Sequence, residues 1–437
     1  MFSTLSVKLK QAIQVKLQSA TLRGGLWIFA SRLGRNALQA VYFVLIARSL
    51  GAEQYGTFVG VASLVKILLP FAAWGSGEIL MKHVSRHPEL FSAYWGNALV
   101  MTAAFSTACM TLLIGCSDLV LPSSATLGLI VCVGLADLVF SRILEITLSA
   151  FMAVELHHLN AQLHVLLTLN SVIAAICLAV FVPEPNVTAW GGLYLMSRVV
   201  TLAIALILVH RTLGKPKPAL KWIAPELADG FYFSVDFSAY TLSNDLDKTM
   251  LARIGTLQAA GLYAAAYRII DVALTPIMSL TAVAYAKFFR AGANGMQGSV
   301  GVAKKFVPLA ATYGLVASVG ICLVAPLASF ILGSEYDGVV EAIRWLSPLL
   351  FLRSIQSFAA DTLTGAGLQG IRTVLQVSVA LLNGVGNFFL IPLFSWKGAV
   401  WASLVSDGLL VCGMWLLVFL FYRQEMSERQ ALGSAQS

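Results

Sequence analysis

The chain has 437 residues, 58% of them hydrophobic and only 11% charged, against roughly 25% charged in soluble domains. A water-facing surface cannot be built from that mixture, which excludes a soluble multidomain enzyme. The formal net charge is +8, yet the basic residues concentrate in short segments between apolar runs; that pattern orients a membrane protein and excludes a phosphate-tracking nucleic-acid surface.

Taken in chain order, residues 1–24 hold Lys8, Lys10, Lys16 and Arg23 without the apolar core of a signal peptide. Leu5, Leu9, Ile13 and Leu17 recur every fourth residue among Lys and Gln. The segment therefore reads either as an amphipathic helix on the cytoplasmic leaflet or as a basic tail. A bilayer core needs about twenty apolar residues per helix. Twelve spans follow, near 27–48, 56–81, 93–116, 121–152, 159–182, 189–211, 229–252, 258–288, 303–332, 338–366, 371–393 and 397–422. The expected fold is therefore all-α and polytopic. The longest connection, 212–228, carries KPKPALKW and divides the chain into six-span bundles at 25–211 and 229–422, with a tail at 423–437. No loop is long enough to fold as a domain.

Placing the N-terminus in the cytoplasm puts 17 Lys and Arg residues in cytoplasmic segments and three (Arg48, Arg253, Lys397) outside. That asymmetry satisfies the positive-inside rule and requires an even number of spans, with both termini cytoplasmic. Trp27, Trp95, Trp190, Trp222, Trp345 and Trp396 fall at span ends and read as interfacial anchors. His83, His87, His157 and His158 fall in loops and are expected to be solvated. Cys109, Cys116, Cys132, Cys177, Cys322 and Cys412 lie almost entirely in apolar runs, with no CxxC pair and no His at ligand spacing. They read as packing residues, and no metal site is expected.

A shift of 205 residues overlays the first loop on the seventh: Ile46-Ala47-Arg48 and Gly56 fall on Leu251-Ala252-Arg253 and Gly261. Lys66 then falls on Asp271, and Pro70 within one place of Pro276. Six spans per repeat give both halves the same orientation, with a substrate site expected between them.

Nine basic residues remain inside spans: Arg32, Arg35, Lys66, Arg142, Arg198, Lys248, Arg268, Arg344 and Arg353. So do nine acids: Glu78, Asp137, Glu145, Asp236, Asp245, Asp247, Asp271, Asp361 and Asp407. Each costs about 2.5–3.5 kcal/mol at a helix centre, so they should face one another or a wet cavity. Arg142 and Glu145, three apart, read as a structural ion pair, while Asp361 and Asp407 have no partner visible in the sequence. Arg32 and Arg35 share a helical face that Gln39 and Tyr42 extend, and Asn244, Asp245, Asp247 and Lys248 cluster on the seventh span. Arg35, Lys66 and Arg268 lie deepest among the cations and are the leading candidates for a functional role, with Arg32 and Lys248 beside them. No residue pattern points to catalysis.

The stretches IARSLGAEQYGTF at 46–58 and NDLDKTMLARIGTLQAAGLYAAAYRI at 244–269 resemble the signatures of polysaccharide-biosynthesis membrane proteins. These are the lipid-linked oligosaccharide (O-antigen type) flippases of the multidrug/oligosaccharidyl-lipid/polysaccharide exporter superfamily. The resemblance implies two parallel six-helix bundles around a central cavity, open alternately to each side of a bacterial inner membrane. It implies a cargo of undecaprenyl-pyrophosphate-linked oligosaccharide for surface polysaccharide such as lipopolysaccharide. Glycosyltransferases and a polymerase of the same pathway are the implied partners besides the bilayer. On that reading Arg35, Lys66 and Arg268, with Arg32 and Lys248, face the pyrophosphate. Gln39, Tyr42, Asn244 and Tyr240 face the sugar. Asp245, Asp247 and Asp271 tune the cations or carry a coupling proton or sodium ion; no other cofactor is expected. A cation-coupled drug exporter of the same superfamily, a membrane-embedded polysaccharide polymerase or ligase, and a lipid II flippase are the alternatives. The first would favour an acidic cavity, the second a large external loop, the third two further helices.

Overall fold

The structure, a computed structural model, describes the backbone of residues 2–435 and the side chains of residues 37–430, except 157, 228, 229, 232, 233, 235–237, 239, 240, 242–244, 282, 283 and 286. The basic segment at 1–24, Arg32, Arg35, Trp27, Tyr240 and Asn244 lie outside the described side chains.

The fold is all-helical, and the helices account for twelve spans. The first two belong to α1 (Phe2–Ala73), which breaks at Gly51, and the second continues into α2 (Ser76–Val84). Then come α3 (Phe91–Val120), the composite fourth span α4 (Leu127–Gly134) and α5 (Arg142–Ala153), α6 (His157–Phe181) and α7 (Val187–Thr212). The second half comprises α8 (Ile223–Ile254), α9 (Leu257–Gly292), α10 (Met296–Val324) with α11 (Pro326–Leu332), α12 (Val339–Leu346) with α13 (Pro348–Gly365), α14 (Gln369–Phe394) and α15 (Trp396–Ala435). Eight helices among the described residues qualify as spans by length and apolarity alone.

Burial shows which helix is central. The most apolar window of Ala37–Ala73 is 61% buried, against 17% for Met296–Val324, whose Leu315, Val316, Val319 and Leu323 face outward. Such an outward apolar surface belongs in lipid. The second part of α1 runs antiparallel along α8, with contacts from Gly60 against Ala252, through Lys66 and Asp245, to Trp74 against Gly230.

The two breaks bounding that segment have different causes. At Gly51 (φ 69°) the left-handed backbone suits glycine, and a Cβ would collide with the Glu335 carboxylate, which instead accepts from the freed Ala52 N–H at 3.3 Å. At the other end Trp74 is left-handed (φ 47°) although it is not glycine. Its indole donates to Leu227 O at 2.9 Å and stacks on Phe105 at 4.2 Å, contacts that hold the strained backbone.

The 205-residue repeat is physically realised at the first break. A Cβ on Gly56 would lie 1.9 Å from Leu257 O, and one on Gly261 1.9 Å from Ala52 O. Ala52 and Leu257 are themselves 205 apart, so the contact is reciprocal, as a pseudo-twofold axis requires. Arg48 and Arg253 repeat the pattern. Arg48 donates to Ile331 O (2.6 Å) and Phe330 O (3.0 Å) at the end of α11. Arg253 donates to Leu119 O and Asp118 O (3.1 Å each) at the end of α3. Each arginine thus caps a helix C-terminus in the opposite half, where carbonyls lack intrahelical partners. Tyr336, fully buried, adds a bond from its hydroxyl to Ala47 O at 3.2 Å.

Two sequence expectations are corrected. Trp95 and Trp190 are 0% exposed and belong to interhelical cores, not to interfaces. His83 is only partly solvated: its Nε2 lies 2.7 Å from the Glu226 carboxylate and its ring stacks on Tyr94. The 212–228 segment is laid along α3, where Asn97 exchanges two hydrogen bonds with Ala219 and Lys217 N donates to Ser92 O. The six cysteines are free. The tail continues α15, and Glu425 accepts from Met296 N (2.6 Å) and Gln297 N (3.2 Å), capping α10.

Candidate functional site: a charged two-lobed cavity

Below the Gly56–Gly261 contact the halves diverge around a cavity with two lobes. One, of about 270 Å³, lies toward the first half; the other, of about 350 Å³, toward the second. Lys66, Asp245, Lys248, Tyr267 and Asp271 line both and form the junction. Lys66 and Asp271 are repeat-equivalent, so the junction sits astride the pseudo-twofold axis.

The junction is a ladder of paired charges. Asp245 accepts from Lys66 Nζ (3.3 Å) and Lys248 Nζ (3.2 Å), and Lys248 also lies 3.9 Å from Asp247. Asp247 is buried beneath the wall, bonded by the Tyr263 hydroxyl and by Lys248 N at 2.7 Å. It supports Lys248 without lining either lobe. The Lys248 ammonium also lies 4.5 Å above the Tyr267 ring. Two shared cations on one carboxylate leave the Lys66 side chain 50% exposed to the cavity.

The first lobe takes Tyr42, Asp137, Tyr194, Arg198 and Arg268. Asp137 lies on a π-helical turn, Leu135–Ser141, that interrupts the fourth span; such turns redirect side chains at functional sites. Its carboxylate accepts from Tyr194 OH at 2.8 Å, and Arg198 lies 4.5 Å over the Tyr194 ring. Arg268 makes no ion pair or hydrogen bond among the described residues, and neither does Asp271. The second lobe takes Arg353, Gln356, Ser357, Gln376 and Asp407. Arg353 Nε meets Asp407 at 2.8 Å and its Nη2 the Tyr267 hydroxyl at 2.6 Å.

Of the residues singled out from the sequence, Tyr42, Lys66, Asp245, Lys248, Arg268 and Asp271 line the cavity. Gln39 does not; among the described residues of α1, the first in the wall is Tyr42. Asp407 does have a partner, Arg353, on a different helix and 54 residues away, a pairing the sequence does not display. Arg142 and Glu145 pair within one helix, as their spacing suggests. Tyr194, Tyr267, Gln356 and Gln376 are wall residues too; they carry no charge, so the ionisable residues of the spans do not point to them.

Helices with outward apolar surfaces around a charged, two-lobed interior are the architecture of a multi-pass membrane protein. Residues 21–290 match the family described as polysaccharide biosynthesis protein, and the chain belongs to that family. Solved structures share the fold at low identity. An inward-facing multidrug resistance MATE family transporter of the MOP superfamily superposes with a TM-score of 0.72 at 12% identity, over 88% of this chain and 96% of its own. The lipid II flippase MurJ in an inward closed conformation gives 0.74 at 11%, over 89% and 86%. A MOP superfamily transporter from Pyrococcus furiosus gives 0.61 at 14%, over 89% and 94%. No curated protein matches the chain by sequence.

Proposed function

We propose that this protein is a flippase that carries an undecaprenyl-pyrophosphate-linked oligosaccharide from the cytoplasmic to the external leaflet of a bacterial inner membrane, by alternating access, for surface polysaccharide synthesis. The observation that carries the reading is Arg268, a guanidinium that lines the cavity with the half-exposed Lys66 and has no ion-pair partner among the described residues. An unpaired cation at membrane depth is costly unless it has a ligand to meet. Pyrophosphate oxygens fit the planar fork of arginine, and family membership supports a glycan-bearing cargo. Arg32 and Arg35 remain candidates for the same anion. Positive-inside orientation makes the end sealed by Arg48 and Arg253 external, with the cavity loaded from the cytoplasm.

Asp271 is the counterweight. A carboxylate in the cavity with no partner among the described residues suits a coupling proton or sodium ion, and it is also the feature that a cation-coupled drug exporter would use. Deleting the gene separates these readings. The flippase reading requires a lipid-linked glycan to accumulate on the cytoplasmic leaflet; unchanged glycolipid with heightened sensitivity to cationic drugs would favour the exporter.

A further inference from the structure

The two lobes differ in charge and in functional groups, and the difference divides the cargo between them. Among the described residues, and apart from the shared junction, the first lobe holds Arg198 and Arg268 against one acid, Asp137, an excess of positive charge. The second holds Arg353 and Asp407, which neutralise each other at 2.8 Å. Among the described residues, carboxamides line only the second lobe. Gln356 makes no hydrogen bond among the described residues, and Gln376 only accepts one, from Arg372 Nε at 3.2 Å, leaving its amide N–H groups available.

A hydroxyl both donates and accepts, and a carboxamide matches it without a net charge. A lobe with neutralised ions, two carboxamides and an apolar floor of Leu274, Ile277 and Leu410 suits a neutral polyhydroxylated ring with polar edges and C–H faces. The first lobe offers rings in place of amides, and their faces are already occupied. Phe58 packs on Trp190 and Tyr194, and Arg198 covers Tyr194.

Resting on the flippase reading, we propose that the second lobe is the glycan subsite: Gln356 and Gln376 bind the sugar nearest the carrier while Lys66 and Arg268 hold the pyrophosphate. Lys66 lines both lobes, so a phosphate held there places a directly linked sugar in the second.

The test uses the full-length protein in nanodiscs and two probes: bare undecaprenyl pyrophosphate, and the lipid-linked glycan extracted from cells lacking the gene. Gln356→Leu with Gln376→Leu should bind the bare carrier within about twofold of the unsubstituted protein. Its affinity for the glycolipid should fall at least roughly tenfold, about 1.4 kcal/mol, for the loss of two hydrogen bonds. Retained binding of the bare carrier shows that the variant is folded. Lys66→Gln with Arg268→Gln should weaken both probes alike. An unchanged glycolipid affinity in the glutamine variant, or an equal loss for both probes, overturns the subsite. Failure of the unsubstituted protein to bind either probe overturns the flippase reading with it.

Discussion

Gly56 and Gly261, 205 residues apart, each face a backbone carbonyl of the other's repeat so closely that an added Cβ would sit 1.9 Å from oxygen. The contact fixes the point where the halves touch before parting around the cavity. No side chain can yield there, because both obstructing atoms belong to the backbone. Gly56→Ala or Gly261→Ala should therefore force the helices apart at a cost of about 1–3 kcal/mol or more. Thermal unfolding in detergent should show a Tm lowered by several degrees for either variant, and by a similar amount for both because the sites are symmetric.

Arg48 and Arg253 close the same end from its rim. Each spreads two donors over the carbonyls ending a helix of the other half, where the helix dipole also favours a cation. Removing one fork should cost about 1.4 kcal/mol at these exposed sites, which is roughly tenfold in the closed-to-open ratio. A cysteine placed at the buried Thr57, in a background lacking the six native cysteines, reports this as faster labelling by an impermeant maleimide. Arg48→Ala and Arg253→Ala should both accelerate labelling. Arg→Lys should restore it only partly, because lysine keeps the charge without the fork.

The Arg353–Asp407 pair yields a double-mutant cycle. Both side chains are 15% exposed, and removing one partner strands the other charge. Asp407→Asn alone should destabilise by about 3–5 kcal/mol, and so should Arg353→Gln alone. The double substitution should recover much of the loss, because neither charge is then left alone. Unfolding midpoints of the four proteins measure the coupling, and additive losses would mean that the pair does not act as a unit.

The spans were legible because a bilayer imposes a length and polarity that no packing arrangement overrides. The repeat was legible too, since Arg48 and Arg253 sit in matching tripeptides; what they bind was not. Their acceptors are backbone carbonyls 282 or 283 residues away in one case and 134 or 135 in the other, and a carbonyl leaves no mark on sequence. Position along a span misled for Trp95 and Trp190, which lie near span ends yet are covered by neighbouring helices instead of meeting headgroups. Charged cavity residues could be found because lipid rejects them. Gln356 and Gln376 carry no such signal, and only the fold brings them to one wall.

The most direct test of the cavity's role is export by Lys66→Gln with Arg268→Gln, measured as surface polysaccharide and as lipid-linked glycan retained on the cytoplasmic leaflet, at protein levels matched to the unsubstituted chain. The pyrophosphate role of these cations predicts that display is lost while the lipid-linked glycan accumulates, with Arg268→Lys alone intermediate because it keeps charge but not bidentate geometry. Normal display and no accumulation in the double variant would contradict it.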